Sequence, residues 1–232
     1  MSDVPLVGGK NASLGEMIQN LSERKICQEK DALKILIEAI KEAGYTPGKD
    51  VSLSLDVAAS ALYKNGKYYL GGKEYTSDDL INFYKQLIDE FPIISIEDAM
   101  AEDDWDGWQK LQKSIGFNTI LIGDDIFVTN KKFIAKGIKN NIANAVLIKP
   151  NQVGTLSATM EAIVLAKQNN WKWIISHRSG ETLDTSIADI AYATNAYGIK
   201  SGAPHQSPTM DPAQDVRRVK YERIAYLENL EN

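Results

Sequence analysis

Cysteine and histidine are scarce in this sequence. The 232 residues include one cysteine, Cys27, and two histidines, His177 and His205. A single cysteine excludes an internal disulfide and a zinc site with several thiolates, and it fits a reducing compartment. A metal site in this chain would therefore use mainly oxygen ligands, which favours a hard cation over zinc.

Long apolar runs and clusters of basic residues are also absent. No stretch approaches the roughly 18 uninterrupted apolar residues of a membrane helix, and the opening MSDVPLVGGK lacks the apolar core of a signal peptide. The formal net charge is -5, and no run of lysine and arginine is long enough to form a basic patch for nucleic acid. We therefore predict a cytoplasmic protein that binds neither membranes nor nucleic acid.

Short apolar runs rich in Ile, Leu and Val recur along the chain and alternate with segments of helical apolar spacing. Near-continuous apolar strands separated by helices are typical of a parallel sheet that is buried on both faces. The sequence therefore predicts an α/β fold with six parallel strands. These strands are VSLSLD at 51–56, PIISIED at 92–98, NTILIGDD at 118–125, NAVLIK at 144–149, WKWIISHR at 171–178 and AYGIKSG at 196–202.

Two sheet architectures fit this alternation, an open doubly wound sheet and a closed (βα) barrel. An open sheet usually carries a glycine-rich phosphate turn after its first strand, whereas LDVAAS at 55–60 has no glycine. A barrel places its chemistry at the carboxyl ends of many strands, which is where charged residues stand in this sequence. Between the first two strands, LYKNGKYYLGGKEY at 62–75 predicts a hairpin with a tight turn at Asn65 and Gly66.

Charged residues end each of the predicted strands. One charge after one strand is usually the first solvated residue of a loop, but six in succession would converge at the mouth of a barrel. Carboxylates there suit magnesium, an arginine suits a phosphate, and a lysine among positive charges loses its proton more easily and can act as a general base. The residues concerned are Asp56, Glu97, Asp98, Asp124, Asp125, Lys149, His177, Arg178, Ser179 and Lys200.

Six motifs resemble, in order and spacing, the C-terminal barrel of the enolase (phosphopyruvate hydratase) family. They are SLSLDVAAS, PIISIEDAM, ILIGDDIFVTN, AVLIKPNQVGTL, IISHRSGET and YGIKSG, and the resemblance extends from about residue 30 to the C-terminus. It implies a TIM-type (βα) barrel. It also implies a magnesium-dependent lyase of glycolysis and gluconeogenesis that interconverts 2-phosphoglycerate and phosphoenolpyruvate.

The resemblance implies roles for the residues that match these motifs. The magnesium ligands would be Asp56, Glu97 and Asp124. Lys149 would be the catalytic base that removes the proton next to the substrate carboxylate, and Lys200 would be the second catalytic lysine and would help to hold that carboxylate. A Lys or His base beside Mg²⁺ ions that stabilise an enediolate is the known pattern of the enolase superfamily.

Substrate binding is implied for three consecutive residues. Arg178 and Ser179 resemble the phosphate-binding pair of the family, and His177 resembles an active-site neighbour. Because successive strand residues face opposite sides of a sheet, only one of Asp124 and Asp125 is expected to face the metal, and the family pattern selects the first.

The N-terminal part of the chain departs from the family pattern. Enolases are nearly twice as long, and neither their lid domain nor the first barrel strands nor the GDEGG motif, whose glutamate protonates the departing hydroxyl, finds a match here. We therefore expect an incomplete barrel with about six of eight strands. Residues 4–22 instead resemble the N-terminus of phosphoenolpyruvate synthase and pyruvate phosphate dikinase. The predicted division is a leader at 1–25 and an enolase-like barrel at 26–232.

Three functions are compatible with these features. The first is an enolase-type lyase. The second is a catalytically impaired enolase remnant that still binds Mg²⁺ and phosphorylated acids, or a partner chain. The third, ATP-dependent phosphotransfer, rests on the leader alone, and about twenty residues are too few to form a nucleotide site. An incomplete barrel has open sheet edges, which would favour a homo-oligomer or a complementing chain.

Overall fold

The computed structural model of the chain describes residues 29–204 and 215–230. Six parallel strands form one sheet, and their order in the sheet, β1-β5-β6-β7-β8-β9, follows the order in the chain. The predicted leader at 1–25 and His205 lie outside the described residues. The strands are β1 (Leu53–Asp56), β5 (Ile93–Glu97), β6 (Ile120–Gly123), β7 (Ala145–Ile148), β8 (Lys172–Ser176) and β9 (Gly198–Lys200).

All six predicted strands are present, each shorter than its apolar run by a few residues. In β7 all four residues are buried, and the strand ends directly before the charged Lys149. Burial on both faces is expected for a parallel sheet with helices in its crossovers. The predicted α/β class is therefore confirmed.

Helices fill the connections between the parallel strands, as the apolar spacing predicts. Thr76, Asp104 and Thr155 each precede a helix and accept a hydrogen bond from its first turn, and Thr76 forms a capping box with Asp79. The helices are α1 (Glu29–Glu42), α2 (Ser77–Glu90), α3 (Trp105–Ile115), α4 (Lys131–Lys139), α5 (Pro150–Val153), α6 (Leu156–Gln168), α7 (Ser186–Thr194) and α8 (Arg218–Asn229).

The predicted hairpin between β1 and α2 is a three-stranded antiparallel sheet. Its strands are β2 (Tyr63–Lys64), β3 (Lys67–Leu70) and β4 (Lys73–Tyr75). Asn65 and Gly66 have φ values of 53° and 79° and form the first turn, as predicted. The Gly71-Gly72 pair forms a second turn, also with positive φ, which the hairpin prediction did not include.

The described residues divide into two compact units, each with its own core. The first unit comprises residues 29–126 and 136–144, and its fully buried side chains include Leu80, Tyr84 and Trp108. The second unit comprises residues 127–135, 145–204 and 215–230, with a core around the buried strand β7. Among the described residues, no helix is both long and apolar enough to cross a membrane.

Candidate functional site

Three carboxylates follow the carboxyl ends of the strands of the first unit. Asp56 and Glu97 stand directly opposite each other in the parallel pair β1 and β5, and Glu97 stands opposite Ile122 of β6. β6 ends at Gly123, and Asp124 is the first residue after it. The register therefore sets Asp56 beside Glu97, and Asp124 lies two positions beyond the residue opposite Glu97.

Asp98 connects these strand ends through its carboxylate. One oxygen accepts a hydrogen bond from the backbone N–H of Asp124 at 2.9 Å, and the other accepts from the N–H of Asp125 at 3.1 Å. Asp98 has φ 43°, a left-handed conformation that aspartate adopts more readily than most residues. The turn after β5 thus directs a side chain to the backbone of the next strand end.

The carboxylates of Asp98, Asp124 and Asp125 form a compact acidic group. One oxygen from each lies within 4.8 Å of the other two. Asp98 and Asp124 are 4% and 6% exposed, whereas Asp125 is exposed, so the alternation expected for Asp124 and Asp125 is seen in their burial. This group differs from the predicted ligand set, because it contains Asp98 and does not contain Asp56 or Glu97.

Burial raises the pKa of the Asp98 carboxyl well above its ordinary range, and the negative charges of Asp124 and Glu97 raise it further. The two backbone N–H groups lower the pKa without offsetting these effects. Several buried carboxylates held close together disfavour each other's charge, and a divalent cation offsets such repulsion. Oxygen donors of this kind fit Mg²⁺ or another hard cation.

Lys149 follows β7 and is held by a buried threonine. Its backbone N–H donates to Thr129 Oγ1 at 2.9 Å, and Thr129 Oγ1 donates to Gln152 Oε1 at 2.6 Å. Thr129 is fully buried and has φ 57°, an unusual conformation for a β-branched residue. Pro150 begins α5 directly after Lys149, so the lysine is fixed between a strand end and a helix start.

His177, the first residue after β8, is hydrogen-bonded to Lys200, the last residue of β9. The backbone N–H of His177 donates to the Lys200 carbonyl at 2.9 Å. Burial lowers the pKa of His177, and the positive charges of Arg217, Lys200 and Lys149 lower it further, while Glu181 opposes them. The imidazole is therefore neutral at pH 7, and its buried Nδ1 has no hydrogen-bond partner among the described residues.

Gly202 lies close to the side chain of Arg217. A Cβ at this glycine would lie 2.6 Å from Arg217 Nε and 3.4 Å from His177 Cε1, and its φ is 76°. Tyr221 donates a hydrogen bond from its hydroxyl to the Gly202 carbonyl at 2.7 Å, which fixes this turn against α8. The sequence did not indicate a role for Arg217 or Gly202.

Arg178 and Ser179 lie on an exposed loop after β8. Their backbone is anchored by Glu181, which accepts a hydrogen bond from the N–H of Arg178 at 3.3 Å. Glu181 in turn lies 3.2 Å from Lys220 of α8. The sequence did not single out Glu181 or Lys220, because their pairing joins residues about 40 positions apart.

The acidic residues belong to the first unit and the basic residues to the second. Both sets follow the carboxyl ends of parallel strands, which is where (βα) barrel enzymes carry their chemistry. A family model for the C-terminal TIM barrel domain of enolase matches residues 15–226, which includes both sets. The chain belongs to the enolase C-terminal barrel family.

A curated relative agrees with this membership. The chain is 45% identical over 197 residues to the protein named Enolase from Acidothermus cellulolyticus. The aligned part covers 85% of this chain and 46% of the relative, so the chain spans about half the length of that enolase. The predicted resemblance to enolase and the enolase-type barrel fold, with six parallel strands among the described residues, are therefore confirmed. The boundary between leader and barrel at residues 25 and 26 stays a prediction.

Proposed function

We propose that this chain provides the barrel part of an enolase-type lyase, which dehydrates 2-phosphoglycerate to phosphoenolpyruvate. The observation that carries the proposal is the register of β1, β5 and β6, in which Asp56 stands opposite Glu97 at the strand ends and Asp124 comes directly after β6. Membership of the enolase family supports it, since the matched residues include these carboxylates and all the basic residues assigned to the reaction.

The proposed metal ligands are Asp56, Glu97 and Asp124. Glu97 and Asp124 are buried carboxylates, and Asp98 holds the backbone of Asp124 in place. When bound there, Mg²⁺ would polarise the substrate carboxylate and lower the energy of the enediolate that forms on proton loss. A divalent cation would offset the repulsion between carboxylates held close together, which supports the assignment.

Lys149 is the proposed base, and Lys200 the proposed partner of the substrate carboxylate. Proton removal next to a carboxylate needs a neutral amine as the proton acceptor. Lys149, Lys200 and Arg217 all act on the same imidazole, so these positive charges lie in one region of the second unit. Thr129 accepts a hydrogen bond from the backbone N–H of Lys149, so the point from which the lysine side chain extends is fixed.

Arg178 and Ser179 are the proposed phosphate ligands, with His177 beside them. The guanidinium of an arginine matches the geometry of phosphate oxygens, and Arg178 is exposed and therefore accessible. His177 is neutral at pH 7 and carries a buried Nδ1 without a partner among the described residues, so it can exchange a hydrogen bond with a bound acid.

Association with another chain is part of the proposal. In the sheet of the described residues, β1 and β9 are the terminal strands. The edge of a sheet can pair with a strand of a second chain. A homo-oligomer or a complementing chain that supplies further barrel strands would extend the sheet at these edges.

The test is the formation of phosphoenolpyruvate from 2-phosphoglycerate, measured by absorbance with and without Mg²⁺. We expect Mg²⁺-dependent turnover that falls about 100-fold or more in Lys149→Ala, since a general base contributes on the order of 10² to 10⁴ in rate. Lys139→Ala, at an exposed lysine at the end of α4, is the matched control and should retain activity.

Equal rates in the wild type and Lys149→Ala would contradict the assigned base. The wild type could instead show no turnover while its melting temperature rises with Mg²⁺ and 2-phosphoglycerate. That result would reject the lyase and favour a remnant that only binds these ligands. Asp124→Asn completes the test, because it should abolish the effect of Mg²⁺ in either case.

A further inference from the structure

Lys220 is a fully buried lysine on the last helix, α8. Its side chain is 0% exposed, and its ammonium contacts three acceptors: the carbonyls of Val216 and Thr182, and the carboxylate of Glu181 at 3.2 Å. An ammonium has three hydrogens, so every donor of this group has a partner. A cation saturated in this way holds neighbouring segments together, and it is not arranged to bind a ligand.

Two of these three acceptors belong to the loop that follows β8. Residues 178–180 and 182–184 of this loop are exposed, whereas the side chain of Glu181 is only 14% exposed. Glu181 uses its other oxygen to accept a hydrogen bond from the backbone N–H of Arg178 at 3.3 Å. The chain of contacts therefore runs from Lys220 through the Glu181 carboxylate to the backbone of Arg178.

The helix that carries Lys220 is itself anchored. Arg223 of α8 forms an ion pair with Asp189 of α7 at 2.8 Å, and Tyr221 donates to the Gly202 carbonyl. Because α8 has these other attachments, it offers a fixed support for the loop. A buried ion pair whose groups are fully hydrogen-bonded also resists rearrangement, since removing one partner leaves an uncompensated buried charge.

We infer that Lys220 is a positioning residue, which ties the loop presenting Arg178 and Ser179 to the C-terminal helix. The loop needs such an attachment, because exposed loops with few buried contacts open easily. The inference rests on the proposed function in one respect: the phosphorylated acid is the ligand that Arg178 and Ser179 would bind. The attachment of the loop itself does not depend on that function.

Hydrogen exchange of the full chain, measured at the amides of residues 178–184, tests the attachment directly. In Lys220→Met, which keeps most of the length of the side chain, these amides should exchange about tenfold faster or more. The matched control is Arg218→Met on the same helix, which removes the exposed ion pair to Glu222 at 2.6 Å and should leave the loop unchanged.

Glu181→Gln is the second variant, because Lys220→Met removes a buried charge and its fold has to be checked by circular dichroism. Glutamine keeps the size of the side chain and one acceptor oxygen, so the fold should persist while the loop amides still exchange faster. In the double variant, Lys220→Met with Glu181→Gln, neither charge is left buried alone, and exchange should return part of the way to the wild-type rate.

Steady-state kinetics with 2-phosphoglycerate separates positioning from general stability. If the loop that presents Arg178 and Ser179 is displaced in Glu181→Gln, KM should rise about tenfold with a smaller change in kcat. Global destabilisation would change neither constant for the molecules that remain folded. Unchanged loop exchange in both Lys220→Met and Glu181→Gln would overturn the inference. Faster loop exchange without any wild-type turnover would keep it and reject the lyase proposal.

Discussion

The acidic residues of the first unit and the basic residues of the second are positioned by different kinds of side chain. In the first unit a carboxylate does the positioning, because Asp98 accepts the backbone N–H groups of Asp124 and Asp125. In the second unit the group that positions Lys149 is neutral: Thr129 accepts a hydrogen bond from the backbone N–H of Lys149. Positioning in the first unit therefore adds a buried carboxyl whose pKa is raised by burial and by like charges, whereas positioning in the second adds no charge.

The largest expected effect comes from removing the charged positioning group. In Asp98→Asn one oxygen is replaced by an NH₂ group, which cannot accept from the N–H of Asp124 or Asp125. Loss of such an outer partner typically weakens metal binding about 10- to 100-fold. We expect that decrease in Mg²⁺ affinity, measured by calorimetry or by the Mg²⁺ dependence of the melting temperature.

Asp103→Asn, at an exposed carboxylate of the first unit, is the control for this change and should bind Mg²⁺ as the wild type does. Stability without metal is a poor readout for Asp98→Asn, because relief of the like charges offsets the lost hydrogen bond. Wild-type Mg²⁺ affinity in Asp98→Asn would show that the acidic group is not organised by this residue.

An intermediate effect is expected from removing the neutral positioning group. Thr129→Val preserves the shape of the side chain but leaves the N–H of Lys149 without its acceptor. An unsatisfied buried donor costs about 1 to 3 kcal/mol, so the free energy of unfolding should fall by that amount in urea titrations. Thr129→Ser keeps the hydroxyl and serves as the matched variant; a loss of stability equal to that of Thr129→Val would assign the effect to packing instead.

The smallest effect concerns the pH dependence contributed by His177. Burial lowers the pKa of His177 in the folded protein below its ordinary value of 6.5, so the unfolded chain binds a proton first as the pH falls. The resulting stability is present above pH 6.5 and is lost as the pH falls toward the folded-state pKa. Urea titrations between pH 7.5 and 5 should show this loss, and His177→Gln should show less of it. Parallel curves for the two proteins would contradict the assignment.

The strands and the residues at their ends could be predicted because each depends on the local pattern. An apolar run such as AVLI forms a buried strand where helices cover both faces of the sheet, and in β7 the charged Lys149 comes directly after the strand. The same pattern predicted Asp56 and Glu97 as strand-end residues, and the structure pairs them in register. Their assignment as metal ligands stays a prediction.

The residues that hold the site together could not be predicted, because their partners are distant in the chain. Thr129 contacts a backbone group 20 positions later, and Asp98 contacts amides 26 and 27 positions later. Nothing in the sequence distinguishes a buried lysine such as Lys220 from the exposed lysines of the other helices. The left-handed turn at Asp98 is also set by the strand pairing around it, since Ala59 donates to its carbonyl.

Gly202 has a consequence for how this chain tolerates variation. Another residue at this position would have to adopt a φ of 76°, and its Cβ would lie 2.6 Å from Arg217 Nε, so two separate penalties apply to it. The neighbours Ala203 and Pro204 are exposed and carry no such restriction. A gene library randomised over 202–204 and selected for folded protein would therefore return glycine at the first position and a broad mixture at the other two.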